Sequence, residues 1–265
     1  MTLEEAGRRI EQAAAEGWTE LDLAGLGLTE LPGEIGQCTR LETLVLGKWE
    51  KEKKGKEGIE GYEWDGGRLV PIISGNELKD LPPELANLVN LRQLDLSGNP
   101  WGKLPEVLLQ LSQIEELQLI RVDLQYIPES IVQLSNLTQL HLSHNRITQI
   151  PESIGQLSNL TQLDLSSNQI TQIPESLAKL CEALGQLSNL TQLDLSGNQI
   201  TQIPESIGQL SNLTELYLSG NQITQIPESI GQLSNLTQLH LGFNQITQIP
   251  ESIDQLSNLT KLDLR

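Results

Sequence analysis

The stretch Leu137–Ile147 reads LTQLHLSHNRI, and close copies return downstream, among them LTQLDLSSNQI at 160–170 and LTQLDLSGNQI at 190–200. Leu137, Leu140 and Leu142 alternate as the inward face of a short strand, with Thr138, Gln139 and His141 facing the other way or the edges. Asn145 follows where the strand must turn, and Ile147, Ile150, Ile154 and Leu157 lead the chain back along a looser arc punctuated by Pro151. One such coil, Leu137 to Asn159, has 23 residues. Seven aliphatic side chains cannot offset the conformational entropy of ordering so long a segment, so a coil does not fold alone. Coils must stack, pairing their strands and sharing one aliphatic core. The expected fold is α/β: a curved solenoid with a parallel β-sheet on its concave face and short helical, 3-10 or extended segments on its convex face.

Working outward from Leu137, the same register starts at Trp18, Leu41, Leu91, Ile114, Leu137, Leu160, Leu190, Leu213, Leu236 and Leu259, so repeats fill 18–265. Two units are longer than 23 residues, with insertions at about 48–74 and 177–183. The second insertion equals about two helical turns and can lengthen the outer arc without rotating the register. Residues 1–17 read as an N-terminal capping helix: Thr2 and Glu5 form a capping box, Leu3, Ala6, Ile10, Ala13 and Ala14 share one face, and Gly17 is the stop. At the other end Leu259, Leu262 and Leu264 lie in a strand with no polar cover, so the natural protein is expected to continue. The recurring Asn76, Asn99, Asn145, Asn168, Asn198, Asn221 and Asn244 read as buried amides serving the backbone of the bend, a column broken at Leu26 and Val122.

Composition narrows the function. The chain carries 17 Lys plus Arg against 35 Asp plus Glu, a net charge of -18, which argues against a nucleic-acid partner because phosphate binding needs a basic face. No apolar run is long enough for a membrane span or signal peptide, so the chain reads as soluble and cytoplasmic. Cys38 and Cys181 fall about 24 Å apart at the inter-strand spacing, beyond reach of a disulfide and suited to a reducing compartment. The recurring Asn-Leu-Thr, first at Asn136, matches a glycosylation acceptor but reads as repeat consensus. No GxxxxGK[ST], HExxH or GxSxG motif occurs, and His240 stands about 19 Å from His141 and His144, so neither a metal centre, a cofactor nor catalysis is expected.

LTQLHLSHNRI and its copies resemble the leucine-rich-repeat consensus over about nine tenths of the chain, which implies the family's horseshoe fold. The 23-residue unit with Ile-Pro-Glu-Ser-Ile-Gly-Gln resembles the intracellular subclass of scaffold and Ras-linked proteins. More narrowly, MTLEEAGRRIEQAAAEGWTELDLAGLGLTELP and the insertion starting LGKWEKEK resemble the N-terminal repeat region of bacterial Roco proteins, in which repeats precede a Roc GTPase and a COR dimerisation domain. That resemblance implies a recognition and regulatory role in a signalling protein. A stand-alone adaptor and a secreted recognition protein are the alternatives.

In near-identical units the departures carry the information, because the consensus alone satisfies stacking. Positions two, three, five, seven and eight should project from the strand face and its rim. Gln118, Ile120, Arg121, His141, His144 and Arg146 depart in the fourth and fifth units, and Tyr217, His240 and Phe243 in the eighth and ninth. Aromatic and Arg side chains on a small, polar surface have the composition of interface anchors. Asp164 and Asp194 add a column of negative charge that favours a protein partner with a basic patch, or the chain's own GTPase region. In the larger insertion Trp49, Tyr62 and Trp64 mark a hairpin that either packs its aromatics on neighbouring units or protrudes as a docking element.

Overall fold

Consensus positions one, four and six are apolar because each strand has one face turned to the core: Leu160, Leu163 and Leu165 are all buried, and so are Leu213, Leu216 and Leu218. The computed structural model describes residues 2–55, 59–65, 68–175, 177 and 189–265. They divide into two compact units, Met1–Asp123 and Leu124–Arg265.

In the first unit, helix α1 (Thr2–Glu16) buries Ala6, Ile10 and Ala13 while Leu3 stays exposed. It stops at Gly17, whose φ of 68° turns the chain back so that the Trp18 N–H donates to the Ala13 carbonyl. The Glu5 carboxylate holds Arg8 and Arg9. Strands β1 (Glu20–Asp22), β2 (Thr43–Trp49), β6 (Gln93–Leu96) and β7 (Glu116–Gln118) pair in parallel in that order, with Leu21, Leu44, Leu94 and Leu117 in one row. The larger insertion is a β excursion. β2 runs past the consensus length to pair antiparallel with β5 (Ile73–Ser74), and β3 (Tyr62–Asp65) and β4 (Arg68–Pro71) form a hairpin between them. Cys38 is buried and its thiol donates to the Ile10 carbonyl, burial pushing the thiol pKa up.

In the second unit, β8 (Gln139–His141), β9 (Gln162–Asp164), β10 (Gln192–Asp194), β11 (Glu215–Tyr217), β12 (Gln238–His240) and β13 (Lys261–Asp263) pair in parallel, with Leu140, Leu163, Leu193, Leu216, Leu239 and Leu262 in one row. The seven-residue insertion leaves this register intact, since Leu163 still meets Leu193. Leu177 is buried; the rest of 177–183, Cys181 included, lies outside the described residues. Among the described residues, return arcs tighten into one 3-10 turn after a Pro at Glu129–Gln133, Glu152–Gln156, Glu205–Gln209, Glu228–Gln232 and Glu251–Gln255. Pro204, at φ -70° and ψ 150°, is extended and needs no N–H partner there. Gly208 follows because coils approach closely: a Cβ on it would lie 2.5 Å from the Ser229 carbonyl oxygen.

Two polar ladders tie coil to coil. The buried Asn198 amide donates to the Leu165 and Leu195 carbonyls at 3.0 Å and accepts the Ile170 N–H at 2.9 Å, and Asn168 and Asn221 repeat the pattern. On the rim where each strand begins, Asn159, Asn189, Asn235 and Asn258 donate to a Ser carbonyl of the preceding coil, while Thr191, Thr214 and Thr237 hydroxyls donate to the preceding Thr carbonyl. The Asn-Leu-Thr repeat is therefore a rung of the scaffold.

Candidate functional site

The site is built from positions three, five and eight, because position four points into the core and position nine is the buried Asn. At position five the consensus Asp closes the strand end: Asp95, Asp164 and Asp194 each accept the N–H of the Ser two residues on, at 2.8 to 2.9 Å. The column is thus scaffold as well as charge. Two of its carboxylates are pushed up to about 6, Asp95 and Asp194, both chiefly by burial; for Asp194 the charge of Asp164 on the adjacent strand adds to it.

Position eight takes a left-handed backbone. Gly98, Gly197 and Gly220 sit there at φ 72°, 67° and 69°, which costs glycine nothing. Arg121, His144, Ser167 and Phe243 hold the same conformation at 54° to 56°, where an L side chain costs roughly 1–2 kcal/mol. A bulky aromatic held there is a departure that stacking does not require.

Among the candidates of the first unit, Ile120 is a correction: it is 3% exposed and belongs to the core, because after the strand its side chain turns inward beside Leu119 and Val122, both buried. Gln118 is half-buried and donates to Glu116 at 2.7 Å. Arg121 secures the insertion, with Nη2 3.2 Å from the Asp65 carboxylate and Nη1 donating to the Pro71 carbonyl. Trp49 and Tyr62 pack edge to face at 5.1 Å, Trp49 Nε1–H donates to the Gly61 carbonyl at 2.7 Å, and Lys51 covers the Trp49 ring. Trp64 is exposed, opposite the exposed Leu69 on the hairpin. The insertion thus packs two of its aromatics and presents the third.

In the second unit, His141 and His144 are half-buried, His141 in register with Asp164, and Arg146 is exposed beyond the Asn145 turn. Asp164, Asp194, Tyr217 and His240 form one continuous row across β9 to β12. Tyr217 and His240 stack, with ring centroids 4.8 Å apart and planes inclined at 25°. Tyr217 Oη–H donates to Glu215 at 2.8 Å, and Gln238 donates to the other Glu215 oxygen at 3.0 Å. Burial, then Glu215, push the tyrosine pKa up to about 12, and burial, then Lys261, lower that of His240, which is therefore neutral at pH 7. Phe243 is 82% exposed on the rim. Sequence reasoning missed Glu215 and Asp95. Glu215 is visible as the Glu that interrupts the position-three run Gln139, Gln162, Gln192 and Gln238; nothing in the sequence sets Asp95 apart from the other aspartates of its column. Among the described residues no three His, Cys, Asp or Glu converge on a metal site, and no helix is long and apolar enough to cross a membrane.

Family models described as "Leucine-rich repeat region", "Leucine Rich repeats (2 copies)" and "Leucine Rich Repeat" match residues 181–265, 135–179 and 90–111. An LRR protein of Leptospira interrogans has a solved structure similar over 97% of this chain and 68% of its own, at 30% identity and a TM-score of 0.68. The chain belongs to the leucine-rich-repeat family. The similarity extends to the plant peptide hormone receptor RGFR1 in complex with RGF2, at 28% identity and TM-score 0.66, covering 96% of this chain and 41% of the receptor. It extends also to the ectodomain of the Arabidopsis thaliana receptor kinase GASSHO1/SCHENGEN3 in complex with Casparian strip integrity factor 2, at 29% identity and TM-score 0.59, covering 89% of this chain and 28% of that one. No curated protein sequence matches significantly. Leucine-rich-repeat domains are typically non-catalytic scaffolds that bind proteins, which agrees with a site made of an exposed Phe243 beside half-buried rings and carboxylates on a parallel sheet.

Proposed function

We propose that this leucine-rich-repeat chain is a non-catalytic recognition module that takes a protein partner against the strand face of Leu124–Arg265, centred on Tyr217, His240 and Phe243. The observation that carries this reading is Phe243: a large apolar side chain, 82% exposed, in a backbone conformation that glycine fills at lower cost two coils earlier at Gly197 and one coil earlier at Gly220. Backbone preference does not account for it. The chain fits the recognition or regulatory part of a Roco-type signalling GTPase in a reducing cytoplasm, with that protein's own GTPase region among the partners to be tried. The resemblance of residues 1–32 and of LGKWEKEK supports this context, as does the buried Cys38 thiol.

A photo-crosslinking residue at position 243 tests the module reading, with the same residue at the exposed Glu228 of the outer arc as control. Partner adducts from 243 only, lost when Tyr217 and His240 are both changed to Ala, are expected. Equal adducts from both positions remove this face from consideration.

A further inference from the structure

Resting on the reading of this strand face as a recognition surface, we infer that it contains a seat for an arginine side chain presented on an extended segment of the partner, walled by the Tyr217 ring and floored by Asp164 and Asp194. His240 covers one face of the Tyr217 ring, at 4.8 Å. The opposite face is turned toward β10, where the residue in register is Asp194, and beyond it on β9 stands Asp164. Both aspartates are short, and both fold back to accept a backbone N–H, from Ser196 at 2.8 Å and from Ser166 at 2.9 Å. They are too short to lie over the ring. The row of rings therefore ends in a step: an aromatic wall above a floor of two carboxylates.

A planar, weakly hydrated cation fits that step. A guanidinium stacks on an aromatic face and forks its N–H groups onto carboxylates, whereas an ammonium is a compact, strongly hydrated point charge that cannot stack. The wall is held in place, since Tyr217 Oη–H is bonded to Glu215, whose second oxygen is bonded to Gln238. The balance of charge is right as well. Asp194 has Asp164 on one side and Tyr217 on the other, so neither in-register neighbour is a base. His141 stands beyond Asp164, Lys261 lies on β13, and His240 is held neutral by burial and by Lys261. The pKa of Asp194 is raised by burial first and then by the charge of Asp164, and an arriving arginine offsets that second part.

The test uses the full chain and short capped Gly/Ser peptides carrying either arginine or lysine, with binding read by fluorescence anisotropy. The arginine peptide is expected to bind about threefold more tightly than the lysine peptide, the preference a stacked guanidinium contributes at a partly exposed ring. Tyr217→Phe should keep that preference and Tyr217→Ala should abolish it; Asp194→Asn should weaken arginine binding about fivefold. Asp22→Asn, at the same position in the first unit but already paired with Lys48, should change nothing. No binding, equal binding of the two peptides, or a preference that survives Tyr217→Ala overturns the inference. Persistence of crosslinks from position 243 alongside any of those results removes the arginine seat alone; loss of both removes the recognition surface too.

Discussion

The strand faces of Met1–Asp123 and Leu124–Arg265 are built on one consensus and use their departures from it in opposite ways. In the first unit, three charges that leave the consensus are paired: Lys48 with Asp22 at 2.7 Å, Arg92 with Glu115 at 3.2 Å, Arg121 with Asp65 at 3.2 Å. Thirteen of the 17 basic residues lie there, and two of the insertion's aromatics are folded against each other. In the second unit twelve acidic residues face four basic ones, and Tyr217, His240 and Phe243 form a stack and an exposed rim anchor. In the first unit unusual residues hold an addition to the scaffold; in the second they leave a surface for something else. Deletion should therefore loosen structure in the first and leave stability untouched, or improved, in the second.

That contrast needs a baseline that does not depend on which unit is changed, and the asparagine ladder supplies it. Asn198→Ala strips three hydrogen bonds from buried backbone groups that water cannot reach, and should lower unfolding free energy by about 3 kcal/mol or more in a denaturant titration. Asn76→Ala, which strips bonds from Leu23, Leu46 and Leu28, should do the same in the first unit. Unequal losses would mean that the two stacks differ in more than their surfaces.

The carboxylates sharpen the comparison next. Asp95 and Asp194 have folded pKa values of about 6 against about 3.9 in an unfolded chain. The native state thus binds the extra proton first, so each contributes stability as pH falls from about 6.5 to about 4 and detracts from it at pH 7. With a discount for partial exposure, Asp194→Asn should raise stability at pH 7 by about 1 kcal/mol and leave it unchanged near pH 4. The amide oxygen can still accept the Ser196 N–H. Asp95→Asn should gain about as much, because burial pushes its carboxyl up to the same value. Denaturant midpoints at the two pH values decide it; a gain of equal size at both would assign the effect to packing.

Much of this was legible in the sequence because stacking is periodic. The strand starts, the undisturbed register across the 177–183 insertion and the buried asparagines all follow from which positions repeat, and a repeated position meets the same surroundings each time. Non-periodic contacts could not be read that way. Ile120 has an outward parity when counted from the buried Leu117, yet the chain bends before it and turns it inward. Arg121 looked like an anchor for a partner, but its own partner is Asp65, brought near by an insertion whose hairpin the repeat does not predict. Glycine at position eight was equally visible and its meaning was not, since the left-handed turn shows only in the backbone angles.

That turn gives the comparison its finest test, because Arg121 and Phe243 share a conformation and differ in what their side chains touch. Phe243→Gly removes a strained residue whose side chain is 82% exposed, so relief of the left-handed backbone should appear nearly whole, as a gain of about 1 kcal/mol together with loss of partner binding. Arg121→Gly gains the same relief and forfeits the Asp65 ion pair and the bond to the Pro71 carbonyl. An exposed pair contributes about 0–1 kcal/mol, so the two effects nearly cancel and the midpoint should barely move. Hydrogen exchange should reveal what the midpoint hides: amides of β3 and β4 exchange faster in Arg121→Gly and at the parental rate in Phe243→Gly. Equal stabilisation by both substitutions, with the hairpin still protected, would mean that Arg121 holds nothing and that the two strand faces do not differ in kind.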